Sequence, residues 1–250
     1  MKVMITGASS GIGRDMAYYL DQFHYDFILV GRDREALEDV RRSMKSKVKI
    51  VVVDLSNEQK VKELYVLTKN DDIDILINNA GFGVFGEFIK TDINKEFAML
   101  DVNVKALHML TKFYLKDMVK KDKGMILNVA SSAAFMPGPL LSSYYASKSY
   151  VYRLTLAINE ELRRSGSHVK VSVLCPGPVD TNFNKTAGVT FNIKSLSSSY
   201  VAKYALDKMF QGKTIIIPGV KMKFVKFIVR FLPDKFITRL NYNIQKKKDS

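Results

Sequence analysis

The chain is 250 residues long, 47% hydrophobic and 26% charged, which supports one sizeable core and excludes a disordered or collagen-like polypeptide. Its formal charge of +14 is unevenly placed: residues 213–250 hold ten Lys/Arg against two Asp, a local balance of +8. The single cysteine, Cys175, excludes an internal disulfide, and three dispersed histidines (His24, His108, His168) have no metal-ligand spacing, so no metal site is expected.

The first predicted element is a strand over residues 2–6, so near the start that no signal peptide is expected. Further strands are predicted at 26–31, 48–54, 74–78, 125–131, 169–175 and 214–218. Most are dense in Val, Ile and Leu rather than alternating, as strands buried on both faces of a parallel sheet are. Helical patterns lie between them at 12–23, 34–44, 58–69, 95–119 and 142–164. The longest uncharged run, 124–147, carries Asn128, five serines, Pro137 and Pro139, so it reads as strand and loop rather than a membrane span. This order predicts an α/β chain: a single-domain, doubly wound Rossmann fold with a seven-stranded, mostly parallel sheet, helices on both faces and a C-terminal helical extension.

The first strand runs into Thr6-Gly7-Ala8-Ser9-Ser10-Gly11-Ile12-Gly13 and then a helix. Glycines so spaced permit a tight turn, close backbone approach to a pyrophosphate and close helix–strand packing, with the helix N-terminus facing the phosphates. Gly7, Ser9, Ser10, Gly11, Ile12 and Gly13 are therefore candidate cofactor contacts. The second strand ends Gly31-Arg32, where NAD-preferring sites place an acid. A guanidinium suits a 2′-phosphate, so NADP (NADPH) is expected ahead of NAD; Asp33 is the neighbour that would neutralise Arg32 instead.

Tyr144-x-x-x-Lys148 puts a phenol and an ammonium on one helix face. An adjacent ammonium lowers a phenol pKa from about 10 towards neutrality. The pair alone is a common accident of helix surfaces. Ser131, 13 residues upstream of Tyr144, and Asn103, 28 upstream of Ser131, make it specific.

With these motifs in family order and spacing, residues 1–218 resemble the short-chain dehydrogenase/reductase family. The resemblance rests on the glycine loop, Asp54, Asn78-Asn79-Ala80-Gly81, Asn103, Ser131, Tyr144/Lys148 and Pro176-Gly177-Pro178-Val179-Asp180-Thr181. It implies four catalytic roles. Tyr144 is general acid in carbonyl reduction and base in alcohol oxidation. Lys148 contacts the nicotinamide ribose and lowers the tyrosine pKa, Ser131 hydrogen-bonds the substrate oxygen, and Asn103 holds a water in a proton relay. It also implies that Asp54 reaches the adenine, Asn79 lies near the ribose, and Val179 and Thr181 lie beside the carboxamide. Leu55, Ala80, Gly81, Pro176 and Gly177 complete the implied cofactor contacts. Asn103 also sits inside a long helical pattern, where it reads as a structural kink residue. Tyr145 and Ser132 are out of register with the motif, and Cys175 reads as a small apolar filler.

Three apolar segments are expected to shape a substrate pocket: residues 135–141, residues 181–199 with Phe183, Val189, Phe191 and Ile193, and Phe82, Val84, Phe85 and Phe88. They suggest a lipophilic ketone, aldehyde or secondary alcohol, and stretches 13–20 and 79–83 are similar to members acting on steroids or other lipophilic carbonyls. The expected protein is a cytoplasmic NADP(H)-dependent oxidoreductase, a homodimer or tetramer by resemblance. The alternatives are a non-catalytic dinucleotide-sensing protein and a reductase of small polar carbonyls. No nucleic-acid module is evident.

Residues 1–219 are expected to form the dinucleotide-binding and catalytic domain, and 220–250 a basic amphipathic extension. In the extension, Phe224, Phe227, Ile228 and Phe231 form one helical stripe and Lys223, Lys226 and Arg230 another. Pro233 breaks the helix, Asp234 starts a second, and Lys246-Lys247-Lys248 follows. A membrane surface, a subunit, or docking on the core over the substrate site are the three readings. The number of bulky apolar residues favours docking.

Overall fold

The structure is a computed structural model that describes residues 1–181 and 195–246. Its strands are β1 Lys2–Thr6, β2 Asp26–Gly31, β3 Val48–Val52, β4 Ile75–Asn78, β5 Met125–Val129, β6 Lys170–Leu174, β7 Val179–Asp180, β8 Leu196–Ser197 and β9 Ile215–Ile216. Seven make one sheet in the order β3-β2-β1-β4-β5-β6-β9, every neighbouring pair parallel. The chain winds outward from β1 to one edge, then returns to place β4 against the other side of β1. The loops leaving β1 and β4 therefore part at their carboxyl ends, which opens a crevice there.

The helices are α1 Gly11–Asp21, α2 Arg34–Arg42, α3 Glu58–Thr68, α4 Ile93–Leu100, α5 Leu107–Lys121, α6 Ser142–Arg164, α7 Ser198–Phe210, α8 Val220–Val229 and α9 Asp234–Lys246. Alternation along β1 divides the core. Val3 and Ile5 point to one face and pack with Met16, Ala17 and Leu20 of α1 and Ala205, Leu206 and Met209 of α7. Met4 points to the other, against Leu64 of α3 and Leu110 and Tyr114 of α5. Each buried Val, Ile, Leu or Met side chain among them stabilises the fold by about 1.5–3 kcal/mol, so both faces of the sheet need helices. This is why its strands read as continuous apolar runs.

Local chemistry sets the helix starts. Asp33 accepts from the Ala36 amide at the head of α2 and Asn57 from the Lys60 amide at the head of α3. The predicted helix over 95–119 is divided: α4 ends at Leu100, a π-helical turn spans Asp101–Ala106, and α5 begins at Leu107. The last predicted strand shortens to β9, two residues long. Helix α7 and the small parallel pair β7/β8 are not among the predicted elements. Phe183, Val189, Phe191, Ile193 and Lys247-Lys248 lie outside the described residues.

Candidate active site

The glycine loop stands at the carboxyl end of β1. Gly7 and Gly11 have φ of +64° and +54°, conformations that side chains rarely adopt. Gly13 presses on Gly7: a Cβ there would lie 2.4 Å from the Gly7 carbonyl oxygen and from Asn79 Nδ2. Ser10 precedes α1 without a side-chain cap, and the first turn has no acid, so no carboxylate of that turn competes for the opening amides. A Cβ on Gly11 would come within 3.0 Å of Thr181 Cγ2, so Thr181, just after β7, stands against the loop. This cradle of bare backbone fits a pyrophosphate. Ile12 packs on the core and Ser9 is half-buried.

Asn79 braces the loop from β4. Its Nδ2 donates to the carbonyls of Thr6 (3.0 Å) and Gly7 (3.1 Å), while the Asn79 and Ala80 amides donate to Thr6 Oγ1 at 3.0 and 3.1 Å. The side chain expected near a ribose thus has its amide nitrogen committed to loop geometry, and Thr6 is a second brace that the motif contains but sequence reasoning did not single out. Asn78 turns into the sheet and donates to Thr111 and Asn128.

Arg32 is exposed at the end of β2 and has no carboxylate partner among the described residues. Asp33, the expected neutraliser, is turned away to cap α2. Asp54, beyond β3, is exposed and accepts from the Ser56 amide and hydroxyl, while the Leu55 side chain is buried in the core.

Tyr144 and Lys148 lie one turn apart on the buried face of α6. The Tyr144 phenol shares a hydrogen bond with the side chain of Ser131, beyond β5. Ser131 Oγ also accepts from the Ala133 amide at 3.2 Å, which fixes the hydroxyl. Lys148 Nζ donates to the Val129 carbonyl at 3.0 Å and sits 5.8 Å from the Tyr144 ring centre. The expected effect of the ammonium on the phenol is corrected here. Burial drives the Tyr144 pKa well above its ordinary range, only the Ser131 hydrogen bond pulls it back, and Lys148 exerts no resolved effect. Burial acts on Lys148 as well, lowering its pKa from 10.5 to about 8.

Asn103 occupies the π-turn and is wholly buried. Its Oδ1 accepts from the Phe82 amide at 3.1 Å, and its Nδ2 donates to the Phe82 carbonyl at 2.9 Å and to Ser147 Oγ at 3.2 Å. Ser147 in turn donates to the Tyr144 carbonyl at 2.6 Å. Asn103 therefore ties the loop after β4 to the tyrosine's own helix turn, which makes it the kink residue and a positioning residue at once. Gly81 permits this: a Cβ would stand 2.8 Å from Asn103 Oδ1 and 3.2 Å from Lys148 Nζ. Glu96, buried on α4, bonds to Ser143 at the head of α6 and to Thr91. Ser147 and Glu96 were missed in sequence because each acts only through a partner on another element.

Around Tyr144 pack Phe82, Val84, Phe85, Met99 and Leu141. Two expected pocket residues are corrected: Phe88 is 66% exposed, and Phe135 packs on Tyr152 within the core, ring centres 5.4 Å apart. The adjacent Tyr145 covers Gly138, and its hydroxyl accepts from Gln245 of α9 at 2.5 Å. Asn241 of α9 donates to the Pro137 carbonyl at 2.7 Å. The second tail helix is thus seated on the substrate-side loop. The first touches the core through Met222, which would meet a Gly177 Cβ at 2.8 Å, while the Pro176 carbonyl accepts from the Ser132 amide at 2.8 Å. The Phe224/Phe227/Ile228/Phe231 stripe remains exposed, which corrects the expectation that it docks: the inward phase of α8 is set by Met222 and Lys226. Cys175 is buried, its thiol pushed up to about 12 by desolvation, and no metal-holding cluster occurs among the described residues.

A sequence model of the family described as "short chain dehydrogenase" matches residues 1–190. An "uncharacterized oxidoreductase" of Staphylococcus epidermidis is 31% identical over 223 residues, 88% of this chain and 95% of the relative. Among solved structures, a short-chain dehydrogenase from Sphingobium yanoikuyae in complex with NADPH superposes with a TM-score of 0.82 at 26% identity, covering 93% of this chain and 96% of that one. A short-chain dehydrogenase/reductase from Burkholderia phymatum in complex with NAD also scores 0.82, at 24% identity and 90% and 91% coverage, a likeness of fold alone.

Proposed function

We propose, for a chain that belongs to the short-chain dehydrogenase/reductase family, that it is an NADP(H)-dependent oxidoreductase interconverting a lipophilic ketone or aldehyde and its alcohol. The observation that carries this reading is the Tyr144 phenol hydrogen-bonded to Ser131, with Lys148 one turn on, beside the glycine cradle. A nicotinamide cofactor, when bound, supplies or accepts the hydride. Ser131 and Tyr144 hold the substrate oxygen, and Tyr144 gives its phenolic proton to that oxygen as reduction proceeds. Lys148 and Asn103 keep α6 and the β4 loop in register with that oxygen. Burial keeps the phenol protonated and ready as an acid, which suits the reductive direction.

Support for NADP comes from Arg32, exposed and free of Asp33, and from the NADPH-bound relative. Support for a lipophilic substrate comes from Phe82, Val84, Phe85 and Leu141 around the tyrosine. A cytoplasmic setting accords with a single buried free thiol. A non-catalytic dinucleotide sensor would not need the serine, tyrosine and lysine to be kept together.

The test pairs two variants. Tyr144→Phe is expected to lower kcat by about 100- to 10,000-fold with cofactor binding retained. Arg32→Ala is expected to weaken NADPH by about 10- to 100-fold, the loss of one or two charge-assisted hydrogen bonds, and NADH little. Turnover near wild type in the first, or equal losses for both cofactors in the second, would each refute the corresponding assignment.

A further inference from the structure

Helix α8 turns a face outward that nothing in the described chain covers. Met222, Val225, Lys226 and Val229 are half-buried; opposite them, Phe224 is 62%, Phe227 63% and Phe231 70% exposed. The inner phase is fixed by Met222 on Gly177 and by Lys226, whose Nζ lies 5.7 Å from the Phe135 ring and 5.6 Å from that of Tyr152. By helical position, Lys221 flanks the phenylalanines on one side and Lys223 and Arg230 on the other.

Behind this face a groove of about 590 Å³ is lined by Tyr204, Lys208, Lys213, Lys223, Lys226 and Arg230 among others. Among the described residues no carboxylate pairs with any of these cations. Helix α9 adds Phe236, Leu240 and Ile244, exposed at i, i+4 and i+8, together with Lys235 and Arg239. Asp234 is the one acid in residues 220–246.

We propose that α8, continued by α9, seats the protein on the surface of an anionic lipid bilayer. Phe224, Phe227 and Phe231 enter the interfacial region, and the flanking lysines and arginine lie at headgroup level. Phenylalanines rimmed by cations are the pattern of an interfacial helix, and ten residues cannot cross a bilayer. Charge decides the occupant. A second copy meeting this face would bring the same cations against each other with no acids to pair them, whereas anionic headgroups neutralise them. The inference does not depend on the reductase reading, because binding is measured without turnover.

The test is co-sedimentation of the full chain with phosphatidylcholine vesicles containing about a third phosphatidylglycerol, against pure phosphatidylcholine, with light scattering of the free protein. Binding to the anionic vesicles is expected to fall steeply between about 0.1 M and 0.5 M salt, as the screening length shortens. Each cation near such a surface is worth about five-fold in partitioning, so Lys223→Gln/Arg230→Gln is expected to weaken binding about 25-fold. Phe224→Ser/Phe231→Ser is expected to weaken it at least about ten-fold. Both variants should keep the melting temperature, and the cation pair keeps the test decisive should the phenylalanine pair disturb folding. No binding to anionic vesicles, equal binding to neutral ones, or binding insensitive to salt would overturn the proposal. So would a phenylalanine variant that still binds vesicles but turns an oligomer into a smaller species, since the face would then belong to a second copy.

Discussion

Lys148 carries a buried ammonium whose pKa has fallen from 10.5 to about 8, with desolvation as the cause. Between those two values the unfolded chain binds the proton and the folded chain does not, so stability rises with pH across that window. Below pH 8 the folded protein bears the whole cost of a buried charge, offset in part by the 3.0 Å hydrogen bond to the Val129 carbonyl. Replacing Lys148 by Met removes the titration. Two and a half pKa units correspond to about 3 kcal/mol, of which about 2–3 kcal/mol is traversed between pH 7 and 10. Wild type should therefore gain that much on Lys148→Met over the same range. Tyr144 does not interfere, because burial keeps its phenol protonated throughout. Urea unfolding of both proteins at several pH values, without cofactor, gives the difference directly, and exposed lysines common to both cancel. A flat difference, or one that moves in the mutant's favour as pH rises, would show that Lys148 is not a desolvated cation in the folded chain.

Gly13→Ala places a Cβ 2.4 Å from the Gly7 carbonyl, where backbone must move. A loss of about 1–3 kcal/mol in stability is expected, together with weaker cofactor binding, and an unchanged cofactor Kd would show that the loop tolerates opening. Asn241→Ala/Gln245→Ala removes the bonds from α9 to Pro137 and Tyr145, each worth about 0.5–1.5 kcal/mol. Faster hydrogen exchange across 234–246 and an altered KM for bulky ketones are expected with kcat kept; unchanged exchange would show that other contacts seat α9.

The glycine loop, Arg32 and the Tyr144/Lys148 pair were legible from their places at strand ends and on one helix face, and the family resemblance joined Ser131 to them as one expected site. The buried strands were legible for a similar reason: a parallel sheet covered on both sides leaves runs such as Phe27-Ile28-Leu29-Val30 without polar alternation. A kink in the 95–119 helix was expected at Asn103, but the bonds that hold it there were not: the Asn103 amide reaches the Phe82 backbone and Ser147 across two other elements, and no local propensity encodes that reach. Ser147 and Glu96 escaped notice for the same reason.

The tail marks the boundary most clearly. Its sequence specified two amphipathic basic helices broken at Pro233, since helical periodicity and a proline break are local properties. Which face of each helix turns inward was settled by partners far along the chain. Gly177 receives Met222, and Pro137 and Tyr145 receive Asn241 and Gln245, so the phenylalanine stripe is left outside. The direction of the Tyr144 pKa was settled in the same way. Sequence spacing places an ammonium one turn from the phenol, but desolvation depends on how much of the whole fold closes over both groups, and here it is the largest influence on each.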